Sequence, residues 1–514
     1  MKTSNLLMTG VMCLALFSCR KNENSQTGNI SDEKNPVAAV PKSAINRFIR
    51  EKLADSGYFK WAMAGNDIAW SALVQGDSIL SVGYQPAGFN DLSHNIHAID
   101  LNNANWKEAK QQVINLILEN EKKDNPALTE KDVVVLSHTK LPSINVKVSR
   151  IATLKSLRGS KLVRYAEPIG YGAYMAGKAP SGKAGVESTL LNFGCGSNSA
   201  EPGLVAGTDY TNITPGAKQS WNYAYHNIPQ AWTKSTGSGV KVMIIDTGVS
   251  PDQPNFGSLF NQGSSSGRTI QKLVTYPGGT PDDLCGHGTS MAGALAAPRG
   301  TSGSAAGIAY NSNLVTVHAA ENVVILSQES VTGVTNAYIL GGDDPNVKII
   351  SMSLGTIIDV SVIIDAIRYA YNKQKLIFCA AGTSNSFFGS FIGVIFPANQ
   401  PEVYAITGMK DNLTERCGSC HVGSKVAFTV VMEKASNGRL ALSTAMTGND
   451  PSTVGGSSVA TASCAGIAAL VWSKYPSYPK DSIVARMIRA ASLSQNKSNQ
   501  FGWGNVDANA AVGQ

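Results

Sequence analysis

The stretch VMIIDTGV, residues 242–249, is an apolar and largely β-branched run with an aspartate near its end. A short apolar run that stops at Asp246-Thr247-Gly248 predicts a strand buried on both faces, as in a parallel sheet. Open α/β sheets bind their ligands at the carboxyl ends of the strands. We therefore expect the Asp246 carboxylate at a functional edge, although turns and helix caps also use aspartate in such places.

A histidine follows in the stretch CGHGTSMAG, residues 285–293. Gly286 and Gly288 leave room around the His287 imidazole, and the small apolar residues after it suit a tightly packed helix. A lone histidine on an apolar helix is more often a structural group than a catalyst. Its position between glycines favours contact with a substrate backbone.

The third stretch, GGSSVATASCAG at residues 455–466, follows a glycine-rich turn and predicts a helix of small residues over residues 460–470. Ser458 is expected at the amino terminus of this helix, where free N–H groups and the helix dipole favour a developing negative charge. Serine also caps helices. Capping alone does not explain the other two stretches.

Aspartate, histidine and serine occur in that order along the chain. Chymotrypsin-like enzymes have the order His, Asp, Ser, and α/β-hydrolases have Ser, Asp, His. The three stretches resemble the active-site blocks of subtilisin-like serine proteases, and further matches in the expected order extend over residues 221–511. The resemblance implies an α/β fold, with a mostly parallel sheet and helices on both faces, preceded by a smaller α+β propeptide domain. It also implies acyl transfer by Ser458, with His287 as general base and Asp246 orienting the imidazole.

The same resemblance indicates where a peptide or protein substrate would bind. Residues 350–355 are similar to the strand edge along which the family aligns extended peptides, a pairing that uses main-chain hydrogen bonds. The primary pocket would lie between two walls. Its expected lining residues are Ser353, Leu354 and Gly355 on one side and Ala380, Ala381 and Gly382 on the other.

Two positions depart from the family pattern. Where the family has an asparagine that donates to the oxyanion, this chain has Thr383, with Asn385 two residues later. We expect the Thr383 hydroxyl to be the auxiliary donor, and Asn385 in a looser turn is the alternative. Val459 replaces the usual methionine after the nucleophile, which predicts tolerance to peroxide because valine has no thioether. The missing asparagine leaves open a catalytically impaired surface lipoprotein that binds peptides.

Residues 1–18 have the features of a signal peptide, with an apolar stretch over residues 6–17 that is too short for a permanent membrane span. The sequence before Cys19 resembles a bacterial lipobox, with Phe17 atypical. It predicts lipidation of Cys19 and a membrane anchor on the periplasmic or cell-surface side. Ordinary secretion, with cleavage near Ser18, is the alternative. Residues 19–42 are polar and aperiodic, as in a tether.

At 514 residues the chain is long enough for two folded units. Residues 43–168 have more charge, longer helical patterns and a strand, strand, helix, strand pattern over residues 133–168. That pattern resembles the inhibitory propeptide of subtilisin-like enzymes, so the chain's own propeptide is expected as an intramolecular inhibitor. The linker 169–215, rich in Gly, Ala and Ser, is expected to contain the autoprocessing site. Residues 216–514 would form the catalytic domain.

Composition and cysteines restrict the remaining classes. The net charge of +7 is spread without a Lys/Arg block, which argues against nucleic-acid binding. The segment from Cys417 to His421 matches the haem attachment pattern. We expect a local disulfide between its two cysteines, and covalent haem attachment is the alternative. Cys379 and Cys464 are expected in the core. No cofactor is required for the chemistry, and although the family commonly binds structural calcium, no metal ligand can be assigned.

Overall fold

The computed structural model describes residues 38–172, 194–196, 198–325, 327–384 and 393–513. Cys19, Asn385, the signal peptide 1–18 and parts of the predicted tether and linker lie outside these residues.

The first part of the described chain is a four-stranded antiparallel sheet with helices packed on it. Its helices are α1 Lys42–Ser56, α2 Asn66–Gln75, α3 Leu92–Asn95, α4 Ala104–Glu121, α5 Glu130–Val133 and α6 Ile151–Gly159. Its strands are β1 Phe59–Lys60, β2 Ile79–Tyr84, β3 Val134–Ser137, β4 Ser143–Lys147 and β5 Val163–Pro168. The sheet order is β3-β4-β2-β5. The strand, strand, helix and strand predicted over residues 133–168 are present, and the inhibitory role of this region stays a prediction.

The rest of the described chain is built on a seven-stranded sheet. The strands are β6 Tyr210–Ile213, β7 Ala217–Ser220, β8 Lys241–Asp246, β9 Ile270–Val274, β10 Asn313–His318, β11 Val347–Met352, β12 Ile358–Asp359, β13 Leu376–Ala380, β14 Tyr404–Lys410, β15 Val426–Glu433, β16 Ala441–Thr444 and β17 Pro451–Val454. The helices are α7 Ile228–Ala231, α8 His287–Ala296, α9 Gln328–Asp343, α10 Ser361–Asn372, α11 Gly456–Lys474, α12 Lys480–Arg489 and α13 Ala508–Gly513. The large sheet has the order β15-β14-β13-β11-β8-β10-β9, and its neighbouring strands are parallel. The predicted α/β fold is confirmed.

Alternate residues of β8 enter two different cores. Met243 and Ile245 join one core, which also contains residues of α9, α10 and the four-stranded sheet. Val242 and Ile244 join the other, which contains α8 and α11. Because successive side chains of a strand point to opposite faces, the large sheet is covered on both. This double burial is why β8 is apolar along its length.

Strand β5 contacts α10 through buried polar groups. The Arg164 guanidinium donates two hydrogen bonds, of 3.1 and 2.7 Å, to the Asp365 carboxylate. The Glu167 carboxylate accepts the N–H and the hydroxyl of Ser361 at 2.6 and 2.9 Å, at the start of α10. After β5, residues 169–171 line a small cavity together with Ile325 and Thr356. The first part of the chain therefore contacts the second part at α10 and, after β5, near Ile325 and Thr356.

Disulfides join Cys195 to Cys285 and Cys417 to Cys420 among the described residues. The second confirms the predicted local disulfide, and its two sulfurs are bonded to each other rather than free as haem thiols. Cys379 and Cys464 are free and buried, which confirms their prediction as core residues.

Candidate active site

Asp246 and His287 form a hydrogen-bonded pair at the carboxyl edge of the large sheet. Asp246 ends β8 and is fully buried. His287 begins α8, and its Nδ1 lies 2.7 Å from the Asp246 Oδ1. The same oxygen accepts the Thr247 N–H at 2.8 Å. With Nδ1 held by the carboxylate, the Nε2 of the ring is left for proton transfer.

A second buried carboxylate, Asp283, organises the start of α8. It accepts hydrogen bonds of 2.6–3.0 Å from the N–H groups of Cys285, Gly286 and Thr289 and from the hydroxyls of Thr247 and Thr289. Asp283 therefore satisfies N–H groups around the helix start and fixes the turn after Asp246 to the helix of His287. Sequence reasoning missed this residue. An aspartate just before a helix is a capping signal that could have identified it.

The electrostatic setting of His287 favours its protonated form. Burial is the largest single influence and lowers the pKa of the imidazole, but the charge and hydrogen bond of Asp246, together with the charge of Asp283, outweigh it and raise the pKa. The pKa of His287 therefore lies above the usual range for histidine. A general base with a raised pKa is a stronger proton acceptor, provided that the pH is high enough to keep it neutral.

Ser458 is the third residue of α11, which begins at Gly456. Gly456 has a φ of 84°, and a β-carbon there would lie 2.7 Å from the Thr383 Oγ1, so the turn into the helix requires glycine. The first N–H groups of a helix lack acceptors within it, so that of Ser458 is available to a negatively charged oxygen. The Ser353 hydroxyl donates to the Ser458 carbonyl at 3.2 Å. No hydrogen bond joins His287 to Ser458 among the described residues; such catalytic bonds often shorten only when substrate binds.

Thr383 is held against Ser457, the residue before the predicted nucleophile. Its Oγ1 accepts the Ser457 N–H at 3.1 Å and lies 3.1 Å from the Ser457 hydroxyl oxygen. The Gly382 N–H donates to that hydroxyl at 3.0 Å. The Thr383 hydroxyl proton can therefore point to Ser457 or to an oxygen in the cleft. The alternative donor, Asn385, lies outside the described residues.

A cleft beside Ser458 contains most of the predicted pocket walls. It is lined by Val323, Val324, Ser353, Leu354, Gly355, Ala380, Gly382, Thr383, Ile395, Ser457 and Ser458. Ala381, also expected in the second wall, is fully buried and belongs to the core. The reason is the alternation that continues past the end of β13, which turns Ala380 and Gly382 to the cleft and Ala381 away from it.

The predicted substrate edge is partly engaged by the chain itself. Residues 350–352 are paired on both sides within the sheet, so only Ser353–Gly355 reach the cleft. The Gly355 N–H donates to the Val323 carbonyl, and its carbonyl accepts the Ile325 N–H, both at 3.0 Å. A peptide that pairs with Gly355 would have to displace residues 323–325.

Within the part of the chain that the structure describes, no group of three or more His, Cys, Asp or Glu side chains is placed to hold a metal ion. No calcium ligand set is therefore assigned.

Known proteins are similar to this region of the chain. Residues 237–504 match the family model described as the subtilase family, a range that contains Asp246, His287 and Ser458. Subtilisin from Bacillus sp. (strain TA39) is 29% identical over 270 residues, which cover 49% of this chain and 61% of that protein. Thermitase from Thermoactinomyces vulgaris is 29% identical over 285 residues, which cover 55% of this chain and 92% of that one. The crystal structure of MycP1 from Mycobacterium smegmatis matches with 20% identity and a TM-score of 0.48, over 62% of this chain and 88% of MycP1.

Proposed function

This chain belongs to the subtilase family, and we propose that it is an exported serine endopeptidase that uses Ser458, His287 and Asp246. The family match and the relatives support serine endopeptidase activity. The observation that carries the residue assignment is the 2.7 Å hydrogen bond between His287 and Asp246, with Ser458 in the first turn of α11.

In the proposed reaction, the Ser458 Oγ attacks the carbonyl carbon of the scissile peptide while the His287 Nε2 accepts the hydroxyl proton. The Asp246 carboxylate stabilises the imidazolium. The oxyanion accepts hydrogen bonds from the Ser458 N–H, at the helix amino terminus, and from the Thr383 hydroxyl. The imidazolium then protonates the leaving amine. Water, deprotonated by His287, hydrolyses the acyl-enzyme and regenerates Ser458.

The most direct test is labelling with a fluorophosphonate probe, which modifies an activated serine. We expect labelling of the wild-type protein, none of Ser458→Ala, and wild-type labelling of Ser463→Ala, a buried serine further along the same helix. The competing proposal is an impaired surface lipoprotein that binds peptides, which is favoured by Thr383 at the asparagine position. A correctly processed wild-type protein that does not label would support that competitor.

Residues 43–168 are proposed as an inhibitory propeptide within a self-processing precursor. Two observations support the proposal. Strand β5 makes buried contacts with α10, and residues 169–171 line a cavity together with Ile325 and Thr356. Ile325 and Thr356 are the sequence neighbours of Val324 and Gly355, which line the catalytic cleft. The chain directly after this region is thus adjacent to the place where substrate would bind.

Because of the Cys195–Cys285 disulfide, the outcome of a cut in the linker 169–215 depends on which side of Cys195 it falls. A cut before Cys195 frees the propeptide, whereas a cut after it leaves the propeptide covalently attached until the disulfide is reduced. Amino-terminal sequencing, with electrophoresis in the presence and absence of reductant, locates the cut. Autoprocessing requires the Ser458→Ala precursor to stay intact, and normal processing of that variant would assign the cut to another protease.

Export and lipidation rest on residues 1–18 and Cys19 alone. Metabolic labelling with a fatty acid, present in the wild-type protein and lost in Cys19→Ser, would support a lipid-anchored protein. Absence of label from both would leave ordinary secretion.

A further inference from the structure

One bulky side chain, that of Ile395, bridges the two walls of the catalytic cleft. Its N–H donates to the Ala381 carbonyl at 3.0 Å, which fixes the residue to the second wall. Its side chain reaches the first wall, since a β-carbon at Gly355 would lie only 2.6 Å from the Ile395 Cδ1. Ile395 is 5% exposed and lines the cleft that contains Ser458.

The space left beside Ile395 is small. The cleft is open to solvent and offers about 40 Å³ to water-sized groups, and a single water molecule needs roughly 10–15 Å³. Val323 and Val324 border the same space. The cleft therefore has space for about three water-sized groups, which is enough for the side chain of alanine or serine and less than the six carbon atoms of an aromatic ring.

The residue whose carbonyl is attacked by Ser458 would place its side chain between these walls, because the walls and the nucleophile line one cleft. We propose that Ile395 limits this acyl-side residue to a small side chain, that of glycine, alanine or serine. The substrate class is thus peptides with a small residue immediately before the scissile bond. The proposal rests on the serine endopeptidase function proposed above and makes Ile395 a specificity-determining residue of the site.

The test uses two tetrapeptide p-nitroanilides that differ only in the residue before the anilide, alanine or phenylalanine. A single methylene group in a hydrophobic pocket changes kcat/KM by about 10- to 200-fold. We expect the wild-type protein to favour alanine by at least about tenfold on that scale. Ile395→Ala should lower the ratio of the two kcat/KM values by a similar factor, mainly through faster cleavage after phenylalanine.

A matched control is Val394→Ala. Val394 is the adjacent residue, is 6% exposed and does not line the cleft. The Val394→Ala substitution removes a similar apolar volume and should leave the ratio of the two kcat/KM values unchanged. Ile395→Val, a smaller truncation, should move the ratio in the same direction as Ile395→Ala by less, and it carries the test if Ile395→Ala fails to fold.

Fluorophosphonate labelling of each sample separates the two possible failures. A protein that labels at Ser458 but prefers phenylalanine, or whose ratio is unaffected by both substitutions at Ile395, contradicts the specificity inference and leaves the protease function standing. A folded wild-type protein that neither labels nor cleaves either peptide contradicts the protease function, and the inference falls with it.

Discussion

The acid–base half of the site and its oxyanion half are stabilised by different interactions. Asp246 and His287 depend on buried carboxylates, because Asp283 fixes both the turn after Asp246 and the start of the His287 helix. Hydrogen bonds to charged groups are about twice as strong as neutral ones. This half is therefore expected to tolerate little change in residue type.

The oxyanion half depends on neutral groups. Thr383 bonds to the N–H and hydroxyl of Ser457. The segment is supported from behind by the turn of Cys417–Cys420, where the Ser419 carbonyl accepts the Ser384 N–H at 2.6 Å. A neutral donor can be exchanged for another of similar reach, which is consistent with threonine at a position where the resemblance implies asparagine. We therefore expect departures from the family pattern to be tolerated where no buried charge depends on the residue.

The largest expected effect is on the acid–base half. Asp246→Asn should lower kcat by about 10⁴-fold, because the amide no longer stabilises the imidazolium or holds the correct tautomer. In the wild-type protein, activity should fall as the pH decreases through the raised pKa of His287, since only the neutral ring accepts the serine proton. Asp246→Asn removes the main groups that raise this pKa, so the acidic limb of the kcat/KM profile should move to lower pH.

The exposed Asp252 offers a matched control for that variant. Asp252→Asn should retain wild-type turnover and pH dependence. An Asp246→Asn protein with an unchanged acidic limb would mean that another group sets the pH profile.

The next effect concerns the two disulfides. Each of them supports one half of the site. Cys195–Cys285 closes a loop of sequence separation 90 two residues before His287, and Cys417–Cys420 closes one of separation 3. In the chain-entropy model the first stabilises the folded state by about 4–5 kcal/mol and the second by about 2 kcal/mol. Paired Cys→Ser substitutions, made in Ser458→Ala to prevent autolysis, should lower the free energy of unfolding in that order. Urea denaturation measures the difference, and equal losses would contradict it.

Thr383→Val removes the proposed auxiliary donor while keeping the shape of the side chain. Losing one donor to an oxyanion costs about 10²- to 10³-fold in kcat, so this variant should be weaker than wild type and stronger than Asp246→Asn. Thr383→Ser keeps the hydroxyl and should restore most of the turnover. If Thr383→Val had normal turnover while Asn385→Ala were strongly impaired, Asn385 would be the donor.

The predictable parts of the fold are the elements whose own sequence has a local pattern of apolar or small residues. The apolar run before Asp246 indicated β8, and the small residues after Ser458 indicated α11, because each pattern reports burial of its own element. The capping signal of Asp283 is local, but its hydrogen bond from the Thr247 hydroxyl and the Cys195–Cys285 pairing join distant segments, which no local pattern contains. Ala381 lies in the core rather than in the expected pocket wall, because the alternation beyond β13 turns the middle one of the three consecutive residues inward.

The smallest expected effect sharpens the comparison through methionine chemistry. Val459 is buried and has no thioether, which favours peroxide tolerance on the oxyanion side. On the acid–base side, however, the partly buried Met446 lies against Gly286, because a β-carbon there would be 2.8 Å from the Met446 sulfur.

Oxidation of Met446 to the sulfoxide would place a polar group one residue before His287. We expect peroxide to lower activity only a few-fold and slowly, and Met446→Leu to remove that loss. Met291→Leu, at a methionine of α8 that is 2% exposed, should behave like wild type. Time courses of residual activity, with peptide mapping of the oxidised sites, make the measurement. Inactivation that persists in Met446→Leu would locate the sensitive group elsewhere and remove this distinction between the two halves.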